Sequence, residues 1–221
     1  MLHLYALTEH PAQLVDVAGI DGSELRVAEL APALDAVVSD VPLVEGQASE
    51  AAILAHAAVV EALTAANEAL LPARFSRGYP SEDALAEAIA EREPRVSEAL
   101  GRVRGCVEIG LRVFDERPPD DGKAGSSGSA YMRSRLEEVR RAERTAAELH
   151  DALAVAAQES TSRVLATPQL LLSAAYLLPR GEVEPFQRAV ESAERDRPGL
   201  TFVCTGPWPP YSFAMIDTEQ A

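Results

Sequence analysis

The chain has 221 residues, is 47% hydrophobic and carries a formal net charge of −15. That much apolar material supports a buried core, in one large domain or two small ones, and excludes global disorder. The acids, 35 against 20 basic residues and spread along the whole length, argue against nucleic acid and anionic membrane surfaces as partners.

The chain opens on LHLYAL directly after Met1, without a basic start or a small-residue cleavage site. Its longest apolar run, LLLSAAYLL at 170–178, is far short of the roughly 20 residues a membrane-spanning helix needs. The cytoplasm is therefore the expected location. Cys106 and Cys204 lack metal-ligand spacing and are expected as reduced thiols.

In chain order, LHLYALT alternates and is rich in β-formers, which predicts a first strand. GIDGSE supplies turn residues, and LRVAEL and LDAVVSDV follow as two more strands. From Ser49 the period becomes helical, with Ile53, His56, Val60 and Leu63 on one stripe. ALLPARF reads as extended. Ser81 can then cap a helix whose stripe runs Leu85, Ile89, Val96, Leu100 and Val103, with Pro94 predicting a kink or restart. Residues 1–104 make a first, mixed α+β domain.

The second domain, 105–221, begins with the strand GCVEIGLRVF, which sets Val107, Ile109, Leu111 and Val113 on one face and Cys106, Glu108 and Arg112 on the other. A Pro, Gly, Ser and Asp-rich loop follows, and Ser129 opens a long helix with apolar positions Met132, Leu136, Val139, Ala146, Leu149, Leu153 and Ala156. Strands are predicted around 163–166 and at 170–178, joined by a turn at Pro168. A helix from Glu184-Pro185 with Phe186, Val190 and Ala193 inward and the closing strand LTFVCTG complete the order. That order is β-α-β-β-α-β, the split βαβ of ferredoxin-like domains, a four-stranded antiparallel sheet with helices on one face. The face with Glu108 and Arg112 is then open and needs a cover. The first and last strands become neighbours, which predicts that Cys106 lies near Cys204, unbonded.

Candidate chemistry is sparse. His3, His10, His56 and His150 show no ligand spacing, and His56 fits a hydrogen-bonded structural histidine better than a ligand. No P-loop, GxSxG or GxGxxG occurs. Arg74 and Arg77, ahead of the helix start at Ser81, form a weak anion-site candidate. Glu82 and Asp83 already complement that helix dipole, so capping and surface ion pairing is the competing reading. No metal, nucleotide or other cofactor is expected, and no catalytic residues are assigned.

GPWPPYSF, at 206–213, contains the chain's only tryptophan. Trp208 and Tyr211 are three apart in a proline-rich stretch, and polyproline II has three residues per turn, so both rings should point the same way. The segment reads as a stiff strap that lays Trp208, Tyr211 and Phe213 onto a surface, expected to be the cleft between the two domains.

GIDG, AVVSDVP, LPARF, GCVEIGLRVF, SGSAYMRSR, SAAYLL and above all GPWPPYSF resemble the gas vesicle protein F/L family, in the same order and over nearly the whole chain. One departure is SRGY after Phe75, where the family has a Gly-Thr-type turn. The resemblance implies an accessory or minor structural protein of gas vesicles rather than an enzyme, with two α+β domains, the second ferredoxin-like. It implies contact with the small hydrophobic shell protein (GvpA-type) during nucleation and assembly, and with other accessory vesicle proteins. A monomer is expected. The candidate structural or partner surface is Trp208, Tyr211 and Phe213 together with the open face around Glu108 and Arg112. The alternative, from a different class, is a small-molecule-binding regulator or enzyme built on ferredoxin-like domains. A deep pocket with converging polar groups would mark the alternative, and a broad apolar groove the first reading.

Overall fold

Strand β1 (Leu2–Glu9) is buried from Leu2 to Thr8, on both faces rather than one, because it is a central strand. This computed structural model describes residues 1–41, 49–75, 78–116, 128–163 and 170–214. β1 pairs antiparallel with β3 (Leu34–Asp40), with β4 (Leu70–Pro72) and with the short β5 (Gly78–Tyr79). β2 (Arg26–Ala31) adds to β3, giving the order β2-β3-β1-β4. Helix α1 (Glu50–Ala66) packs on β1, α2 (Glu82–Ala90) on β2 and α3 (Glu93–Val103) on β4.

The helix starts form for the reasons their sequences give. Ser49 accepts from Ala52 N–H at 3.1 Å and Ser81 accepts from Ala84 N–H at 3.2 Å, each satisfying a donor that the first turn leaves unpaired. The stripe of α2 and α3 is buried at all five expected positions, and the helix breaks and restarts with Pro94 in the first turn of α3. On α1 the buried stripe is His56, Val59, Val60, Leu63 and Thr64. Ile53, expected on it, is 45% exposed, because it lies in the first turn at the edge of that arc.

Asn67, just after α1, ties that helix to the loop following β1. Its side-chain oxygen accepts from Gln13 N–H at 2.9 Å, and its amide donates to Gln13 O at 3.0 Å and Leu63 O at 2.9 Å. Replacing it with alanine strands buried backbone groups, so Asn67→Ala should cost roughly 2–3 kcal/mol in urea unfolding. Asn67→Asp should not restore the loss, since it returns the acceptor without the two donors.

The second run of elements is β6 (Cys106–Asp115), α4 (Gly128–Ala154), β7 (Glu159–Arg163), β8 (Leu170–Pro179), α5 (Val183–Arg195) and β9 (Leu200–Trp208). The sheet order β7-β8-β6-β9 is that of the split βαβ. Its core is Ile109, Leu111 and Val113 of β6, Leu172 and Tyr176 of β8, Ala146, Leu149 and Leu153 of α4, and Phe186 and Val190 of α5. By contacts the chain forms two compact units, Met1–Val107 with Trp208–Ala221, and Glu108–Pro207.

Several expectations need correction here. β7 is Glu159–Arg163, earlier than expected; residues 164–166 and the Pro168 turn lie outside the described residues. ESTSR is a polar edge strand, held by its ladder to β8 from Glu159↔Leu177 to Arg163↔Ser173, so it has no hydrophobic pattern to read. On α4, Met132 and Leu136 are exposed, and Ala156 falls beyond the helix end. The face away from α4 and α5 is not open throughout: Leu171, Ala175 and Leu177 are buried, whereas Arg112 and Val203 are exposed. Cys106 and Cys204 do lie on neighbouring strands, and neither forms a disulfide. They are not close, however. Glu116 N–H donates to Gly199 O at 3.1 Å and Thr205 Oγ1 donates to Gly110 O at 3.5 Å, a register that sets Cys204 against Leu111. Cys106 is then about five residues, or ~17 Å, along the strand and alternates to the other face.

Candidate binding surface

The C-terminal segment turns where a strap was expected to run straight. β9 continues to Trp208, and the chain then reverses: Tyr211 N–H donates to Pro209 O at 2.7 Å and Phe213 N–H donates to Pro210 O at 3.1 Å. Polyproline II has no internal hydrogen bonds, so this is a turn and not an extended strap. Pro209, Pro210 and Phe213 are buried. Tyr211 packs against the cluster of Tyr5, Ile20, Val59, Val60 and Leu63, all in its own unit. Its hydroxyl is pushed up to about 12, first by burial and then by the Glu61 carboxylate. Trp208 is 44% exposed, so the two rings do not share one environment. Tyr211 and Phe213 are anchors; Trp208 is exposed to solvent.

On β6, alternation sets Glu108, Gly110 and Arg112 on the face away from the helices, Glu108 half-buried and Arg112 exposed. Thr201, Val203 and Thr205 of β9 share that face. A Cβ at Gly110 would come within 2.8 Å of Thr205 Oγ1, the end of an exposed side chain. Gly110→Val should therefore turn the Thr205 hydroxyl aside and crowd the β6–β9 ladder. We expect about 1–3 kcal/mol of destabilisation by overpacking, read as a lower unfolding midpoint.

The anion-site candidate is not assembled by the described residues. Arg74 is exposed and Arg77 lies outside them. The first turn of α2 already holds the Ser81 cap with Glu82 and Asp83, and Glu82 pairs with Arg26, which also meets Asp40 at 3.2 Å.

His56 is the hydrogen-bonded structural histidine expected from the sequence, but sequence reasoning missed the buried polar centre it forms with His3 in the first unit. His3 Nε2 lies 2.9 Å from His56 Nδ1, and His56 Nε2–H donates to Ala73 O at 3.0 Å. Those two bonds fix the tautomers: His56 carries its proton on Nε2, so His3 must donate from Nε2. Tyr5 stacks on His56 at 5.4 Å and Phe75 meets it edge-on at 5.6 Å. The Tyr5 hydroxyl accepts from Ile20 N–H at 2.9 Å and reaches Ser39 Oγ at 3.0 Å. Burial, and secondarily the neighbouring His56, lowers His3 to about 4; burial also lowers His56, partly offset by its bond to Ala73 O. Both rings are neutral at pH 7 and closed off by their partners. The second unit has a similar arrangement, with His150 Nδ1 3.1 Å from the Tyr176 hydroxyl and His150 Nε2 3.4 Å from Ser160 Oγ. Burial raises the Tyr176 hydroxyl, so it serves as a neutral hydrogen-bonding group. These histidines hold elements together. Among the described residues no group of three or more His, Cys, Asp or Glu could hold a metal ion.

A family model described as gas vesicle synthesis protein GvpL/GvpF matches residues 1–215. Gas vesicle protein F1 of Halobacterium salinarum is 25% identical over 217 residues, covering 97% of this chain and 93% of that protein. Gas vesicle protein L of Streptomyces sp. is 31% identical over 188 residues, 75% of this chain and 70% of that one. The crystal structure of GvpF from Anabaena sp. PCC7120 aligns with a TM-score of 0.82 at 20% identity, covering 100% of this chain and 98% of that one. GvpF from Microcystis aeruginosa gives 0.78 at 21% identity, covering 97% and 99%. At those identities the structural likeness shows the fold.

Proposed function

Because the chain belongs to the gas vesicle GvpL/GvpF family, we propose that it acts in gas vesicle nucleation and assembly by binding the small hydrophobic shell protein. The observation that carries this reading is the family match from residue 1 to 215, which takes in both compact units. The relatives are named as gas vesicle proteins, and other vesicle accessory proteins are further partners on this reading. Physical character supports it. A body of net charge −15 keeps a complex with an apolar subunit dispersed, because like charge opposes association. Trp208 and the exposed end of the β6–β9 face, with Arg112 and Val203, are the candidate contacts, each within its own unit. The growing vesicle is the place of action.

Two measurements test the proposal. Co-purification with the shell protein should survive a rise in salt from about 0.1 to 0.5 M with only a few-fold loss, as apolar contacts are little screened. Deleting the gene in a vesicle-forming host should leave vesicles absent or malformed while growth continues. Normal vesicles in the deletion strain, or no association with the shell protein, would overturn it.

A further inference from the structure

We infer that the N-terminal half of α4 is a docking surface for an acidic amphipathic helix of another protein, seated on Met132, Leu136 and Val139 with its carboxylates against Arg133, Arg140 and Arg144. This goes beyond the shell-protein reading and does not require the shell protein to be the occupant. α4 has 27 residues, and the residues it buries in the core of its unit, Ala146, Leu149 and Leu153, all come from its last third. None of the described side chains from Ser129 to Thr145 is fully buried. Within that stretch Met132 is 66% and Leu136 49% exposed, and Val139 is half-buried. Their spacing of four then three residues puts them on one seam, roughly 10 Å long at 1.5 Å per residue. That length matches two turns of a partner helix with anchors at i, i+3 or i+4, and i+7.

The charge beside the seam names the partner. At about 100° per residue, Arg133, Arg140 and Arg144 fall within roughly 40° of one another along one border. On the other border Arg135 is paired with Glu138 at 3.1 Å, while Glu143 closes the far end of the seam and Glu137 lies behind the arginines. Counting Glu137 and Glu148, which stand four residues from Arg133 and Arg144, this border keeps one net positive charge in a chain of net charge −15. Charges flanking an apolar seam set partner choice, and these call for carboxylates. A second copy of the chain is a poor occupant, since an antiparallel pair of α4 helices sets Arg133 against Arg140 and a parallel pair sets Arg140 against Arg135 of the other copy. Residues 117–127, just before α4, offer Ala124 and two prolines as their only apolar side chains and cannot fill the seam.

The test uses the full-length protein and two synthetic helical peptides with the same Leu/Ile seam, one flanked by Glu and the other by Lys. Fluorescence anisotropy should show the Glu-flanked peptide binding at least ~10-fold more tightly than the Lys-flanked one. Leu136→Glu should weaken it by ~10-fold or more, and the double variant Arg133→Glu/Arg140→Glu should reverse the preference. All three positions are exposed and glutamate favours helix, so the variants should keep the wild-type melting temperature; Met132→Gln is a second, milder probe of the seam. Equal affinity for the two peptides, no binding of either, or binding untouched by both seam variants would each overturn the inference. So would sedimentation showing that the chain pairs with itself through Leu136. Because no shell protein is present, a failure here leaves the family-based function standing.

Discussion

Phe213→Ala should destabilise the protein by about 3–5 kcal/mol, while Trp208→Ala should cost about 1 kcal/mol or less. Phe213 is buried and sits at the end of the turn that Pro209 and Pro210 seat against the first unit. Truncating it leaves a cavity the size of a ring, and the two proline-anchored hydrogen bonds cannot refill it. Tyr211→Ala should fall between the two, since it packs against the core cluster that includes Tyr5, Val59, Val60 and Leu63 but is only half-buried. Urea unfolding of the three single variants checks the order. Trp208→Ala proving the costliest would return the motif to the straight, ring-aligned strap that the sequence suggests. Trp208→Ala should instead show its effect in association with vesicle proteins, with fold stability nearly unchanged.

Acid should unfold the first unit earlier than its carboxylates alone would. His3 titrates near 6.5 in the unfolded chain and is lowered to about 4 in the folded one, mainly by burial, and His56 is lowered as well. Between those values the unfolded chain binds more protons, so the folded state is favoured as pH rises. The contribution is complete above about pH 6.5, falls away as pH drops towards 4, and is gone below that. Each tenfold loss of proton affinity on folding is worth about 1.4 kcal/mol, so His3 alone accounts for on the order of 3 kcal/mol across the window. A proton can still enter at His3 Nδ1, which neither of these two bonds uses, but it puts a charge on a residue only 5% exposed. Stability profiles from pH 7 to 4 should therefore flatten in His3→Gln/His56→Gln, in which amides replace the rings without a titrating group. A double variant as acid-sensitive as the wild type would remove the pair from the explanation.

Much of the fold is legible in the sequence because its signals are local. Ser49 and Ser81 sit one residue before helical periodicity begins, and Pro94 interrupts a stripe whose two halves are both buried. In the second half, period changes mark every element of the βαββαβ order except β7. What escapes reading depends on partners distant in sequence. β7 is a strand because β8 pairs with it, and its own side chains are polar. His3 and His56 are 53 residues apart and each shows only a polar residue among apolar ones. The pattern puts the cysteines on the right strands, but register along a ladder is fixed by single hydrogen bonds such as Glu116 to Gly199, which composition does not encode. In the C-terminal motif the prolines signal stiffness correctly; their reversal at Tyr211 is set by where Phe213 finds its burial.

The first unit draws on both ends of the chain, Met1–Val107 and the residues from Trp208. Its sheet and helices therefore leave the ribosome without Tyr211 and Phe213, which follow only after about 100 further residues, a delay of roughly 5–20 s at ordinary elongation rates. During that interval the core cluster that includes Val59, Val60 and Leu63 lacks one of its aromatic neighbours. The intervening unit has its own sheet and core and can fold meanwhile. Completion of the N-terminal part thus reports that translation has reached the C-terminal motif. A chain cut short before Pro209 keeps every strand and helix of that part, yet stays the more open to proteolysis, a form of quality control that no active site is needed to provide.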